Sequence, residues 1–186
     1  MVTELERHLL ERGCDPSRYA CSLDHEEFVV TFFLFAPGTG KWTGYQQYRP
    51  FAPKTNEAKK FGVKKPRDLR YFTHTCDDSV AVFGAETLSM YDGPVYLVEG
   101  IFDAVKLHSL GLPCLAALGN GAARRGQFSP LAHLLAVTGR KVIGVLDNDA
   151  AGLELGKLCH EVFVCTTKDP GEMTLDELKE FLFHEA

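Results

Sequence analysis

Acidic residues follow three apolar segments of the sequence, near the point where each segment ends. Glu99 follows PVYLV, Asp147 and Asp149 follow VIGVL, and Asp169 comes a few residues after a segment that ends at Cys165. Carboxylate oxygens are the ligands that hard divalent cations such as Mg²⁺ prefer. A cluster of like charges is costly unless a cation neutralises it. The pattern therefore predicts a divalent metal site, provided that the fold brings the three segment ends together.

Each acidic residue also has an ordinary structural explanation when it is considered alone. Asp149 is well placed to cap a helix formed by AAGLELGKL, and an isolated Glu-Gly pair is a weak signal. Three glycines near these residues, Gly100, Gly119 and Gly152, would permit a tight turn or the close approach of a phosphate or of backbone. The order of the acidic residues within one α/β unit is what favours a site.

The elements that must position these residues follow from apolar periodicity. Residues 3–12 are predicted to form a helix, and residues 27–35 and 42–48 a β-hairpin. The segment 49–70 is predicted to be a long surface loop. From residue 93, short apolar strands alternate with helices: strands are predicted at 94–98, 113–118, 142–146 and 162–165, and helices at 102–110, 127–137, 150–159 and 175–183. This alternation predicts a parallel sheet flanked by helices, and ligands of such sheets bind at the carboxyl ends of the strands.

The acidic segments together resemble the Toprim fold, the catalytic domain shared by DnaG-type primases, topoisomerases, small ribonuclease-maturation enzymes and OLD-family nucleases. Its signature is a Glu after the first strand, a Gly after the second and D-x-D after the third. Here these residues are Glu99, Gly119 and the pair Asp147 and Asp149. The resemblance implies a Rossmann-like Toprim domain over 91–186, preceded by a smaller α+β lobe over 1–90.

The match is closest to the primase branch of this fold. VYLVEGIFDAVKLHSLGLPCLAALG is similar to the family's VEG-x-x-D segment, VIGVLDNDAAG to its D-x-D-x-A-G stretch and KDPGE to its KDPDE element. The resemblance makes Asp103 and Asp169 additional metal or second-sphere groups. Gly171 is a departure, because the family often has a second Asp there.

The upstream segments resemble primases more faintly but in the same order. FFLFAPGTGKWTGYQQYRP is similar to the primase hairpin, LRYFTHT lies where primases have KYLNS, and VFGAETL resembles the step before the Toprim domain. The resemblance covers roughly residues 25–175, which corresponds to the RNA-polymerase core without a zinc ribbon or a helicase domain. This compactness suggests a phage or mobile-element protein.

The resemblance implies synthesis of short RNA primers from NTPs on single-stranded DNA, with two or more Mg²⁺ or Mn²⁺ ions as cofactors. Asp147 and Asp149 would be the main metal ligands, and Glu99 a ligand or a general acid/base. Two alternatives stay open. A Toprim nuclease would use the same acidic residues to hydrolyse a phosphodiester, and a non-catalytic nucleic-acid-binding module would use none of them. The primase-like lobe at 28–75 favours the first interpretation.

Basic residues are concentrated in the loop at 49–70, which carries eight Lys or Arg and two Asp or Glu. Basic side chains can neutralise phosphates, and neighbouring aromatic side chains can stack on unpaired bases. Tyr48, Phe51, Phe61, Tyr71 and Phe72 lie within or beside the loop, whereas Trp42 is predicted to be a core residue. The residues predicted to contact template or nucleotide are Lys54, Lys59, Lys60, Lys64, Lys65, Arg67, Arg70, Tyr71, Arg124, Arg125 and Lys168.

The whole chain of 186 residues has a formal net charge of −5, which taken alone argues against a protein that coats nucleic acid by bulk charge. Split by region, the loop at 49–70 has a surplus of six positive charges and the rest a surplus of eleven negative ones. The amino-terminal segment has no apolar signal region, and no apolar run is long enough to span a bilayer. We expect a cytoplasmic protein, in a bacterial host if phage-encoded, with reduced cysteines and no membrane partner. A replicative helicase or a separate zinc-binding subunit is a further expected partner.

Overall fold

The structure is a computed structural model that describes residues 2–36, 39–76, 82–118 and 130–183. The chain forms two compact units. The first contains Met1–Glu11 and Asp15–Ala81, and the second contains Arg12–Cys14 and Val82–Ala186. The functional division into 1–90 and 91–186 stays a prediction. No helix within the described ranges is long and apolar enough to cross a membrane. All six cysteines are free thiols.

The first unit is built on a four-stranded antiparallel sheet with the order β1-β2-β3-β4. Burial alternates along β2 and β3, as expected where one face of an antiparallel sheet covers a core. Helix α1 packs on the buried side, since the His8 ring lies against Tyr48 with Nε2 2.9 Å from the phenol oxygen. The predicted hairpin is confirmed, whereas β1 and β4 were not predicted. The elements are α1 (Glu4–Glu11), β1 (Cys21–Asp24), β2 (Val29–Phe35), β3 (Trp42–Tyr48) and β4 (Tyr71–Thr75).

A β-bulge interrupts the pairing of β2 with β3. Leu34 pairs with Gly44 but Phe35 pairs with Trp42, so Thr43 is the extra residue. Gly44 has a φ of +153°, and a Cβ on it would lie 2.1 Å from the backbone oxygen of His74. The bulge therefore requires glycine, and it places Trp42 on the same face of the sheet as Tyr45.

The second unit contains a five-stranded sheet with the order β5-β7-β6-β8-β9. Strands β6 to β9 are parallel, and β5 pairs antiparallel with β7. The predicted α/β class is confirmed, with helix and strand ends shifted by a few residues and with β5 not predicted. The elements are β5 (Val82–Phe83), α2 (Thr87–Met90), β6 (Val95–Val98), α3 (Ile101–Ser109), β7 (Cys114–Ala117), α4 (Pro130–Thr138), β8 (Val142–Asp147), α5 (Ala150–Gly156), β9 (Glu161–Cys165) and α6 (Leu175–Phe183).

The order of the strands decides where the acidic residues meet. All residues of β6 and β7 are buried, and so are those of β8 up to Leu146, which explains why these segments are continuous apolar runs. Strands β6 and β8 are neighbours at the centre of the sheet, and β9 pairs with the other side of β8. Because these strands are parallel, Glu99, Asp147 and the segment after Cys165 leave the sheet at one edge.

Candidate active site

The first link in the site joins the ends of β6 and β8. Glu99 follows β6, and its Oε1 accepts a hydrogen bond from the backbone N–H of Asp147, the last residue of β8, at 3.2 Å. Burial raises the pKa of Glu99, and the negative charge of Asp149 raises it further. Glu99 is thus a half-buried carboxyl group that holds its proton more tightly than an exposed one.

Asp147 is the most perturbed carboxyl group at this edge. Its pKa rises from 3.8 to about 7, first because of burial and then because of the negative charges of Asp169, Glu99 and Asp103. A hydrogen bond between the carboxyl groups of Asp147 and Asp169 raises it further. The structure therefore brings Glu99, Asp147 and Asp169, which the sequence placed at three separate strand ends, together with a fourth acidic residue from helix α3.

Asp149 caps helix α5. Its backbone is extended, and its Oδ1 accepts hydrogen bonds from the N–H groups of Ala151 at 2.8 Å and Gly152 at 2.9 Å. The capping role considered from the sequence is thus present. The two capping hydrogen bonds use one carboxylate oxygen of Asp149, and its negative charge still raises the pKa of Glu99. Capping and a place in the acidic site are compatible.

Gly152 allows helix α5 to start directly against the end of β8. A Cβ at this position would lie 2.2 Å from the backbone oxygen of Asp147 and 3.1 Å from Oε1 of Glu99. The first contact is with backbone that cannot move away easily. The need for glycine at 152 therefore comes from this close approach of backbone.

Asp103, on the first turn of α3, joins two loops of the site. Its Oδ2 accepts a hydrogen bond from the N–H of Gly100 at 3.0 Å, and its Oδ1 accepts one from the N–H of Gly171 at 2.9 Å. Burial raises the pKa of Asp103 to about 6, with Asp169 adding to the rise, while the two N–H groups and the nearby cation of Arg12 oppose it. Both carboxylate oxygens are thus engaged by backbone.

Two of the residues around Asp103 have roles that sequence reasoning missed. A Cβ at Gly171 would lie 2.9 Å from Oδ1 of Asp103 and 3.3 Å from the backbone of Phe102, so a side chain here would displace a carboxylate that two N–H groups hold in place. The guanidinium of Arg12 lies 3.7 Å from the centre of the Phe102 ring, next to Asp103 in the chain. The departure at 171 was the only available signal for the first role, and nothing in the sequence pointed to the second.

The donor set is suited to a hard divalent cation. Across residues 2–36, 39–76, 82–118 and 130–183, no group of three or more His, Cys, Asp or Glu side chains is arranged to hold a metal ion. Mg²⁺ does not need such a cage, since it usually binds through one or two carboxylates and completes its shell with water and substrate phosphates. The negative charges of these carboxyl groups raise one another's pKa, and a bound cation would relieve that repulsion.

Most of the predicted template-binding side chains are exposed in the first unit. The loop at 49–70 contains two short 3₁₀ turns, Thr55–Glu57 and Pro66–Asp68. Its exposed members are Lys54, Lys59, Lys60, Lys64, Lys65 and Arg67. Arg70 is partly buried, and its Nε donates to the backbone oxygen of Ala52 at 2.9 Å, which ties the loop to the start of β4.

Other predicted contacts are placed differently or lie outside the described residues. Lys168 is exposed, and its Nζ lies 2.6 Å from Oε1 of Glu177. Together with a backbone N–H from Thr174, this ion pair lowers the pKa of Glu177 to about 2. Gly119, Arg124 and Arg125 lie outside the described residues.

The aromatic residues near the loop differ from the sequence expectation. Tyr48 is only 3% exposed and stacks on Tyr71 with ring centres 5.2 Å apart, so it cannot serve as a free stacking surface. The prediction that Trp42 is a core residue is wrong, because 43% of its surface is exposed. The bulge at Thr43 accounts for this exposure, and a bulge is not visible in apolar periodicity.

The geometry agrees with comparisons with known proteins. Residues 96–172 match the family model described as Toprim-like. Over this segment the chain resembles a Toprim-like domain. It contains Glu99, Asp103, Asp147, Asp149 and Asp169, so all five predicted metal-site residues lie within the matched range. No curated protein matches the chain in sequence.

Several solved structures that resemble most of the chain are primase fragments. The primase fragment of the bacteriophage T7 primase-helicase protein has a TM-score of 0.58 and 17% identity, with 93% of this chain and 69% of that one covered. The DnaG primase catalytic domain bound to single-stranded DNA has a TM-score of 0.52 and 18% identity, with 97% of this chain and 64% of that one covered. The zinc-binding and RNA polymerase domains of Aquifex aeolicus primase have a TM-score of 0.51 and 21% identity, with 82% of this chain and 39% of that one covered.

These similarities establish a shared fold. The similarity in fold extends over 82% to 97% of this chain, which confirms the resemblance predicted from the sequence. The chain spans 39% of the Aquifex aeolicus structure and 64% of the DnaG catalytic domain.

Proposed function

We propose that the chain is the catalytic core of a DNA primase, which synthesises short RNA primers from NTPs on single-stranded DNA. The observation that carries this proposal is the acidic cluster at the carboxyl ends of β6, β8 and β9, in a fold shared with primase catalytic domains. In the reaction, a 3′-hydroxyl oxygen bonds to the α-phosphorus of the incoming NTP. The bond to the β-phosphate breaks, and pyrophosphate leaves.

The acidic residues would divide the work of the site. Asp147, Asp149 and Glu99 would hold Mg²⁺ or Mn²⁺, with Asp169 as an additional ligand. Bound divalent ions supply positive charge that neutralises the phosphates during transfer. Glu99 would also be able to take the proton of the 3′-hydroxyl. Its raised pKa is closer to the working pH, and the N–H of Asp147 donates to Oε1, which leaves Oε2 for the proton.

Asp103 would act as a positioning residue. Its two oxygens are taken by the N–H groups of Gly100 and Gly171, so it holds the loop after β6 against the loop that carries Asp169. This role replaces direct metal binding by Asp103 in the proposal. It would keep Glu99 and Asp169 at a fixed separation while phosphates enter and leave.

The template and the nucleotides would be bound by basic side chains. The exposed lysines and Arg67 of the loop at 49–70 are suited to phosphates, with Tyr71 as a neighbouring stacking surface. A helicase or a separate zinc-binding subunit would be a partner, and the cytoplasm of a bacterial host the place of action. The fold shared with primase fragments, one of them from a primase-helicase protein, supports these two proposals.

A single assay tests the proposal against its alternatives. Purified protein is incubated with circular single-stranded DNA, labelled NTPs and Mg²⁺ or Mn²⁺, and the products are resolved by size. We expect short labelled RNA from the unaltered protein and from Asp92→Asn, which changes an exposed carboxylate outside the site. We expect none from Asp147→Ala or Glu99→Gln.

The other outcomes contradict the proposal in distinguishable ways. Degraded DNA without incorporated nucleotide, lost in Asp147→Ala, would identify a nuclease. DNA binding with neither product would identify a non-catalytic nucleic-acid-binding module.

A further inference from the structure

The sheet of the first unit has a second face that differs from its core. Val30, Phe32 and Leu34 point to the core face and are almost fully buried. The alternating residues point to the opposite face, which we call the outer face. Its members on β2, β3 and β4 are Thr31, Phe33, Phe35, Trp42, Tyr45, Gln47, Phe72 and His74, and all of them are partly or largely exposed.

The aromatic residues of the outer face form rows across the strands. Phe33 pairs with Tyr45, and Tyr45 pairs with His74. The rings of Tyr45 and His74 have centres 5.2 Å apart, and Phe72 lies edge-on to Tyr45 at 6.3 Å. A sheet that presents neighbouring aromatic rings offers stacking positions for successive unpaired bases, whatever their sequence.

The bulge in β3 extends this surface. Phe35 and Trp42 form the next pair along the strands, and they leave 38% and 43% of their surfaces exposed. Without the extra residue at Thr43, the strand alternation would turn Trp42 toward the core face. The bulge, which requires glycine at position 44, thus leaves the large aromatic side chain of Trp42 exposed to solvent.

Arg49 adds a cationic group with an unused hydrogen-bond donor. Its Nη2 donates to Oε1 of Gln47, an outer-face residue, at 3.0 Å. Its Nη1 is buried and has no hydrogen-bond partner within the described residues. A buried guanidinium nitrogen without a partner is costly, and an anionic ligand such as a phosphate would satisfy it.

The charge around the outer face complements a nucleic acid. Residues 41–76, which comprise β3, the loop and β4, contain nine Lys or Arg and only two Asp or Glu. Asp24, Glu26 and Glu27 lie at the turn between β1 and β2, next to Val29. Phe35 is six residues away along β2, about 20 Å at the rise of a strand, so these acids are at the opposite end of the strand from Trp42.

We propose that the outer face of this sheet is a binding platform for single-stranded nucleic acid, with bases stacked on Trp42, Tyr45, Phe72 and His74 and a phosphate held by Arg49. The platform rests on the proposed function, because it would hold the unpaired template of primer synthesis. Apart from Arg49, it does not include the loop at 49–70, whose exposed lysines we expect to contact phosphates.

The only tryptophan of the chain reports on this surface directly. We would titrate the protein with an oligothymidylate of about twelve nucleotides, within the usual range of single-strand site sizes. Trp42 emission and the anisotropy of labelled oligonucleotide would be followed in parallel. We expect the two signals to change together. A duplex of the same length should leave the emission unchanged, because its bases are already stacked.

Four variants test which side chains make the contact. Tyr45→Ala and Phe72→Ala should each weaken binding about tenfold or more, the usual effect of losing one stacked base. Tyr45→Phe, which keeps the ring, should bind like the unaltered protein. Phe183→Ala removes an aromatic side chain of similar exposure, 49%, from α6 and should also leave binding unchanged. Circular dichroism confirms that each variant is folded.

The outcomes separate the platform from the proposed function. Oligonucleotide binding by anisotropy with unchanged Trp42 emission, and with full affinity in Tyr45→Ala, would overturn the platform and leave primer synthesis standing. Quenching by a duplex to the same extent would also overturn it. Quenching and loss of affinity as expected, in a protein that makes no primers, would support the platform and contradict the proposed function. Absence of any oligonucleotide binding would contradict both.

Discussion

Replacing Asp147 by Asn should stabilise the protein at alkaline pH in the absence of divalent ions. Burial and the charges of Asp169 and Glu99 raise the pKa of Asp147 to about 7, so ionising this group works against the fold. The folded chain therefore binds more protons than the unfolded chain between about pH 4 and pH 7, and stability falls as the pH rises through that window. Asn has no proton to lose and avoids this cost.

The size of the effect follows from the shift and from the exposure of the group. A rise of the pKa from 3.8 to about 7 would correspond to about 4 kcal/mol for a fully shielded group. Asp147 is only partly buried, so solvent screening reduces the expected gain to about 1–2 kcal/mol. For a chain of this length, that is an increase in melting temperature of about 5 °C at pH 8. At pH 5, near the low end of this window, the difference should be less than half as large, and it should vanish only below about pH 4.

Thermal unfolding at pH 5 and pH 8, with EDTA or with Mg²⁺, measures the effect. Mg²⁺ should stabilise the unaltered protein at pH 8 by mass action and should have less effect on Asp147→Asn, which has lost a ligand. Asp92→Asn, an exposed carboxylate outside the cluster, should behave like the unaltered protein in every condition. A melting temperature that is lower in Asp147→Asn at pH 8, or independent of pH in the unaltered protein, would refute the reasoning.

Three further predictions concern other parts of the structure. Gly171→Ala should destabilise the chain by about 1–3 kcal/mol in urea unfolding, because its Cβ would lie 2.9 Å from Oδ1 of Asp103. The matched control is Gly156→Ala, whose Cβ would lie at an ordinary contact distance of 3.5 Å from Val162. Arg140→Ala should cost about 2–3 kcal/mol, since this guanidinium donates to the carbonyl oxygens of Gly93, Leu88 and Tyr91, and unchanged urea unfolding would contradict that role. Replacing four loop lysines by Ala, namely Lys59, Lys60, Lys64 and Lys65, should weaken DNA binding and flatten its salt dependence. Anisotropy at several salt concentrations measures both effects. An unchanged slope of affinity against salt concentration would exclude phosphate contacts by these residues.

The part of the fold that could be predicted from the sequence is the part in which burial decides the pattern. Strands β6 and β8 are buried on both faces, so they appear as continuous apolar runs, and parallel pairing then brings Glu99 and Asp147 to one edge. The residue types at those strand ends were enough to predict a cation site. Helix α6 was predicted at its observed bounds because its apolar positions recur with helical spacing.

Other features depend on contacts that local patterns do not encode. Strand β4 has no buried residue, so LRYFTHT lacks an apolar alternation, and its pairing with β3 is what makes it a strand. The exposure of Trp42 depends on a single extra residue in β3. The contact between Asp103 and Gly171 joins residues 68 positions apart, and only the fold shows that the glycine serves the aspartate.

Primer synthesis without a pre-existing 3′ end is the central claim, and the fate of the γ-phosphate tests it most directly. Parallel reactions on circular single-stranded DNA would contain either α-labelled or γ-labelled ATP. If the chain starts new RNA, the short products carry the γ-label at their first nucleotide, and Asp147→Ala yields neither label. Products with the α-label alone, or no nucleotide incorporation by a folded protein that binds the DNA, would contradict the claim.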